Sequence, residues 1–161
     1  MKLETSPFTC ACTAWDEGRL EEAFELFSKA AEAGDSSCQL NLGYFYDYGI
    51  HVQRNLRKAL HWYRKAYHQS CAEAASNIAT IHRDDKAYTR MVWWWRRSVQ
   101  LGNEDAWINL GHCYESGYGV RKNPEKAIRC YSQALDAENV SEDSKESAKN
   151  ALRRLKFSPE K

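Results

Sequence analysis

No apolar run in this 161-residue chain reaches the roughly 18 residues that a membrane-crossing helix needs. Charge of neither sign dominates: 23 Lys and Arg against 22 Asp and Glu leave a formal net charge of +1 at pH 7. Near neutrality gives no global pull toward nucleic acid or an anionic membrane, so neither is expected as a partner. The opening stretch MKLETSPFTCACTAWDEGRL lacks the apolar segment of a secretory leader. The six cysteines, at 10, 12, 38, 71, 113 and 130, form no paired framework. These last two absences lead to the expectation of reduced thiols in a cytoplasmic protein. Each cysteine is then expected to act as a small buried hydrophobe.

Catalytic signatures are scarce too. The five histidines, at 51, 61, 68, 82 and 112, are scattered, and no H-E-x-x-H pattern sets two of them on one helix face. Cys10-x-Cys12 stands too isolated for a zinc site, and the neighbours His112 and Cys113 point to different sides of a helix. No glycine loop suited to cradling phosphate is present, since Gly117 and Gly119 belong to a repeated turn. A Cys–His nucleophile pair assembled across the fold is the catalytic arrangement left open. No catalytic residue, metal or cofactor is expected.

What the chain does have is repetition. NLGYFYDYG at 41–49 returns as NLGHCYESG at 109–117, 68 residues on, about twice the period of a small helical repeat. A worn copy, NIATIHRDD, lies between them at 77–85. Aligning LFSKAAEAG, WYRKAYHQS, WWRRSVQLG and CYSQALDAE puts Ala30, Ala66, Ser98 and Ala134 in one slot, at steps of 36, 32 and 36. Repeats of this length are stacked helix pairs, because one pair cannot bury its own apolar face. Within a unit, Leu42, Phe45 and Tyr46, then Ala59, Trp62, Tyr63 and Ala66, recur at helical spacing. The expected fold is all-α, an α-solenoid of about four helix-turn-helix repeats in a single domain over 5–156. Its units fall near 5–34, 35–70, 71–102 and 103–137, with a capping helix at 141–156.

Boundaries are chemically legible. Asn55 and Asn123 stand just before the second helix of their units, where a side-chain oxygen caps free amides. Pro124 suits the first turn, where its missing N–H costs nothing. Ser141, then Glu142 and Asp143, opens the last helix with anions at its positive end. Ala148, Ala151, Leu152 and Leu155 make an apolar stripe that closes the open end of the array, and the tail FSPEK is expected to fray.

LGYFYDYGIHVQRNLRKALHWYRKAYHQS and LGHCYESGYGVRKNPEKAIRCYSQALD resemble SEL-one-like repeats, with the L-G-x-x-Y-x-x-G-x-G-V loop and the A-x-x-W-Y-x-K-A helix. WDEGRLEEAFELFSKAAEAG is closer to a tetratricopeptide repeat. The resemblance covers about residues 5–137. It departs at His51, which replaces the loop's second glycine and predicts a strained turn. It departs again in the second SEL-one-like unit, which has lost four residues and both glycines, so HRDDKAYTR must turn more tightly. The resemblance implies a right-handed superhelix whose first helices line a concave face. It also implies a non-catalytic scaffold or adaptor; some bacterial relatives act in secretion, host interaction or immunity against toxins.

Carried onto this chain, the repeat template places Asn41, Asn77 and Asn109 at one position of successive first helices. Two readings stand side by side: a row of amides pairing with an extended peptide, or a consensus residue steadying a neighbouring turn. Trp15, Tyr44, Asp47, Tyr48 and Glu73 flank this row, followed by Thr80, Arg83, Asp84, Asp105, His112 and Glu115. Carboxylates outnumber bases there, while Arg57, Lys58, Arg64, Lys65, Arg96, Arg97 and Lys126 fall in second helices. An acidic, aromatic groove and a basic back follow, and with them a partner protein bearing a basic surface. In MVWWWRRS, Trp94 and Trp95 align with Trp62 and Tyr63 as core. Trp93 is open to two readings, a contact beside Arg96 and Arg97 or a cover over the shortened unit.

The functional expectation is a protein-binding module for one partner protein or peptide, such as an immunity protein that neutralises a toxin. An adaptor in a regulatory or secretion pathway is the alternative, ahead of a small hydrolase or cell-wall-fragment binder.

Overall fold

The structure, a computed structural model, describes residues 6–157. Among them run α1 (Pro7–Asp16), α2 (Leu20–Glu32), α3 (Ser36–Tyr48), α4 (Leu56–His68), α5 (Ala72–Asp84), α6 (Tyr88–Gln100), α7 (Ala106–Ser116), α8 (Pro124–Asp136) and α9 (Glu142–Phe157), with no strand among the described residues. The fold is all-α and of the helical-repeat solenoid type. Where the sequence draws one domain over 5–156, contacts divide the chain into two compact units, up to Ala74 and from Ala75 onward. Residues 158–161, where most of the fraying tail was expected, lie outside the described residues, as does residue 5.

The caps behave as their chemistry requires. Asn55 and Asn123 are extended, and their side-chain oxygens accept from the amides of Lys58 (3.1 Å) and Lys126 (2.7 Å). Ser141 Oγ accepts from the amide of Ser144 at 3.3 Å, starting α9. Gly49 and Gly117 close α3 and α7 in the left-handed conformation, which a residue without Cβ adopts cheaply. His51 takes the same region at φ 59°, the strain expected of it. The turn between α5 and α6 is short, with Lys86 at φ 58°, as the four-residue deletion requires.

The first unit buries alanines of α1 and α2 together with Phe27 of α2 and Cys38, Leu42 and Phe45 of α3, with Trp62 packed against them. The second unit has a core of Ala79, Met91, Val92, Trp95 and Leu110, and another in which Ala148 and Ala151 of α9 meet Ala127, Tyr131 and Ala134. Each well-kept repeat has an interlock at its centre. The ring of Tyr63 lies so close to α3 that a Cβ on Gly43 would sit 2.5 Å from it, and Tyr131 sits likewise over Gly111. Both tyrosines are fully buried. In the worn repeat Ala79 stands in the glycine's slot and Trp95 in the tyrosine's.

Candidate functional site

A buried tyrosine must still satisfy its hydroxyl. Tyr63 Oη donates to Asp47 Oδ2 at 3.4 Å, and Tyr131 Oη donates to Glu115 Oε2 at 2.7 Å, sixteen residues away in both cases. Asp47 and Glu115, read from sequence as groove carboxylates, are therefore also internal acceptors, and their side chains are 13% and 16% exposed. Arg54 lies over Asp47, with Nη2 3.8 Å from Oδ1 and Nε donating to its carbonyl. Arg154 donates through Nε (2.9 Å) and Nη2 (2.7 Å) to Glu115 Oε1. Burial alone would raise the Glu115 carboxyl, but the hydrogen bonds from Tyr131 and Arg154 outweigh it and hold the group below its ordinary range. Sequence reasoning missed this pairing, although the signal was present: a Tyr and an acid recur at the same slots of both complete repeats.

In the first unit the remaining candidates form an aromatic surface. Trp15 of α1 meets Phe45 edge-on at 4.6 Å and Tyr44 at 6.0 Å. Tyr44 and Tyr48, one turn apart on α3, have ring centroids 4.3 Å apart and are 37% and 60% exposed. Asn41 is half-buried, and its Nδ2 donates to the Ser37 carbonyl of its own helix at 2.8 Å. Glu73 is exposed and accepts from the Cys71 thiol at 3.4 Å.

In the second unit Asn77, Thr80 and Asn109 are half-buried on α5 and α7. Arg83 and Asp84 are exposed and paired with each other at 3.2 Å. Asp105 accepts from the amide and the hydroxyl of Ser141, both at 3.3 Å, and so ties α7 to the start of α9. His112 is exposed, with Nδ1 3.1 Å from Tyr131 Oη. Of the acidic positions, Glu73 and Asp84 stay fully at the surface, whereas Asp47, Asp105 and Glu115 also work inside the fold. The second-helix cations Arg57, Lys58, Arg64, Lys65, Arg96, Arg97 and Lys126 are all exposed. Trp95 is buried and Trp94 half-buried, while Trp93 is 44% exposed, edge-on to Trp94 with Arg97 over its ring. No group of three or more His, Cys, Asp and Glu placed to hold a metal occurs among the described residues. No helix among them is long and apolar enough to cross a membrane.

The Sel1 repeat family model matches residues 20–35, 36–71 and 105–139, together more than half of the chain, and passes over the worn repeat. DAP3-binding cell death enhancer 1 of Mus musculus is 24% identical over 181 residues, covering 86% of this chain and 34% of that protein. The ERAD-associated E3 ubiquitin-protein ligase component HRD3 of Candida glabrata is 26% identical over 127 residues, covering 74% of this chain and 15% of that protein. The chain thus spans about a third or less of these curated relatives. A Sel1 repeat protein from Oxalobacter formigenes superposes with TM-score 0.76 at 28% identity, over 92% of this chain and 63% of that one. A protective antigen of uropathogenic Escherichia coli displaying an SLR fold gives TM-score 0.71 at 22% identity, over 95% and 38%, a likeness of fold alone.

Proposed function

The chain belongs to the Sel1 repeat family, and on that premise we propose that it is a non-catalytic module that binds one partner protein or peptide through the first-helix surface of its first unit. The observation that carries this reading is the Trp15–Tyr44–Tyr48 surface of the first unit. Large aromatic side chains held by a packed core but open on one side are the usual energetic centres of protein interfaces. The names of two relatives support it, one a DAP3-binding protein and the other a component of a ubiquitin ligase. Exposed Glu73 in the first unit favours a partner with a basic segment. In this reading the protein works in the cytoplasm, and nucleic acid and membrane are not its targets. In its narrower form the partner is a toxin that the chain neutralises as an immunity protein, and an adaptor role is the alternative.

The experiment is affinity capture of the partner followed by titration of Tyr44→Ala and Tyr48→Ala. Loss of an interface anchor typically costs about 1–2 kcal/mol or more, so about five- to thirtyfold weaker binding is expected for the pair of changes, with the thermal midpoint little altered. Unchanged affinity in both variants would remove this face from the reading. For the narrower form, co-expression with the product of an adjacent gene should restore growth that the product alone stops. An adaptor would leave growth unaltered.

A further inference from the structure

Trp62 and Trp94 occupy one repeat slot, and in the last repeat that slot holds Cys130. Trp62 packs against the core of the first unit, so a smaller residue at the same register leaves space beside its helix. That space exists. Between α6 and α8, above α7, lies a trough of about 590 Å³ whose walls include Val99, Trp107, Leu110, Ile128 and Cys130. Its volume falls within the range of about 300–1,000 Å³ typical of small-molecule sites.

The trough is polarised along its length. Trp107 marks one end; at the other, Tyr114 is flanked by Arg96 and Lys126, at 6.0 and 5.5 Å from its ring, and Arg96 Nη2 donates to its hydroxyl at 2.8 Å. Arg129 adds a third cation to the rim, and no carboxylate lines the trough. Beyond Tyr114 the same Arg96 and Lys126 line a second hollow, of about 430 Å³, together with Arg121 and Lys122; Glu125 is the acid there. An apolar channel that opens onto clustered cations matches a ligand with an apolar tail and an anionic head.

We propose that this trough binds a single-chain anionic amphiphile, its tail over Leu110 and Ile128 beside Cys130 and its carboxylate or phosphate head between Arg96 and Lys126. Burial of the tail supplies affinity, and the paired cations supply selection by charge. The residues belong to α6, α8 and a face of α7 other than the one bearing Asn109, His112 and Glu115, so this site and the aromatic surface stand or fall separately.

The test is calorimetric titration of the full chain with dodecanoate and dodecyl phosphate below their micelle concentrations. Dodecyltrimethylammonium is the cationic control and inorganic phosphate the head without a tail. Saturable 1:1 binding of at least one anionic amphiphile is expected, with both controls weaker by about tenfold or more. Which of the two anions binds better identifies the head. Cys130→Trp, which installs the residue that the second and third repeats carry in this slot, should weaken binding by about tenfold or more. Arg96→Gln with Lys126→Gln, both at exposed positions, should do so independently if the tryptophan variant does not fold. The proposal is overturned if neither anionic amphiphile saturates, if the cationic one binds equally well, or if a folded Cys130→Trp binds as the parent does.

Discussion

At the scale of single residues, the two complete repeats are pinned by the approach of a tyrosine ring to a glycine. Adding a methyl at Gly43 or Gly111 places it 2.5 Å from a buried aromatic carbon, so the ring or the helix must shift. Gly43→Ala and Gly111→Ala are each expected to lose about 1–3 kcal/mol, despite alanine's better helix propensity. A fall in the urea midpoint at constant slope measures it, and stabilisation by either change would contradict the interlock. The thiols divide in the same residue-by-residue way. Burial pushes Cys38 up to about 12 and Cys113 and Cys130 up to about 11, so all three stay protonated at pH 8. A thiol reagent at that pH should modify these three slowly in the native protein and all six promptly in denaturant. Rapid native modification of Cys38 would show that its environment is open. The sequence showed the glycine and the tyrosine as consensus letters. It did not show that the tyrosine's hydroxyl claims Asp47 or Glu115, because a carboxylate on a helix reads the same whether it faces solvent or a buried phenol sixteen residues away.

Among the elements, the loops distinguish the repeats more sharply than the helices do. His51 and Gly119 hold the same slot at φ 59° and 68°. Around Gly119 the backbone of Tyr88 is too close for any Cβ, whereas the ring of His51 lies 5.9 Å from that of Phe24 and is accommodated. His51→Gly should therefore be close to neutral, with release of left-handed strain set against the lost ring contact and the freer unfolded chain. Gly119→Ala should destabilise by about 1–3 kcal/mol. Equal thermal shifts for the two variants would mean that the slots are equivalent after all. Helix ends, caps and the shortened turn were legible because their chemistry is local. The trough between α6 and α8 was not, since it depends on what Cys130 fails to fill between helices that are far apart in sequence.

For the whole molecule, the sequence reading of stacked helix pairs closed by a last helix survives, and the division into two compact units is what contacts add to it. The closing helix holds by more than its apolar stripe. Arg154 of α9 reaches Glu115 of α7, whose other oxygen takes the Tyr131 hydroxyl of α8, so one carboxylate joins three helices. Those hydrogen bonds hold the carboxyl of Glu115 below its ordinary range in the folded protein, against the opposing effect of burial. The direction fixes the pH dependence. A depressed folded pKa adds stability that is complete above the unfolded value, near about 4.3, and is lost as pH falls through the folded value beneath it. Glu115→Gln keeps the shape and one acceptor oxygen but removes the charge. Its stability deficit relative to the parent should accordingly be largest near pH 7 and shrink toward pH 3, where the parent's carboxyl is also becoming neutral. Urea midpoints of the two proteins at both pH values measure this, with the exposed Glu138→Gln as a matched charge change that should show no such trend. A deficit of the same size at both pH values would mean that the charge of Glu115 does not carry the junction.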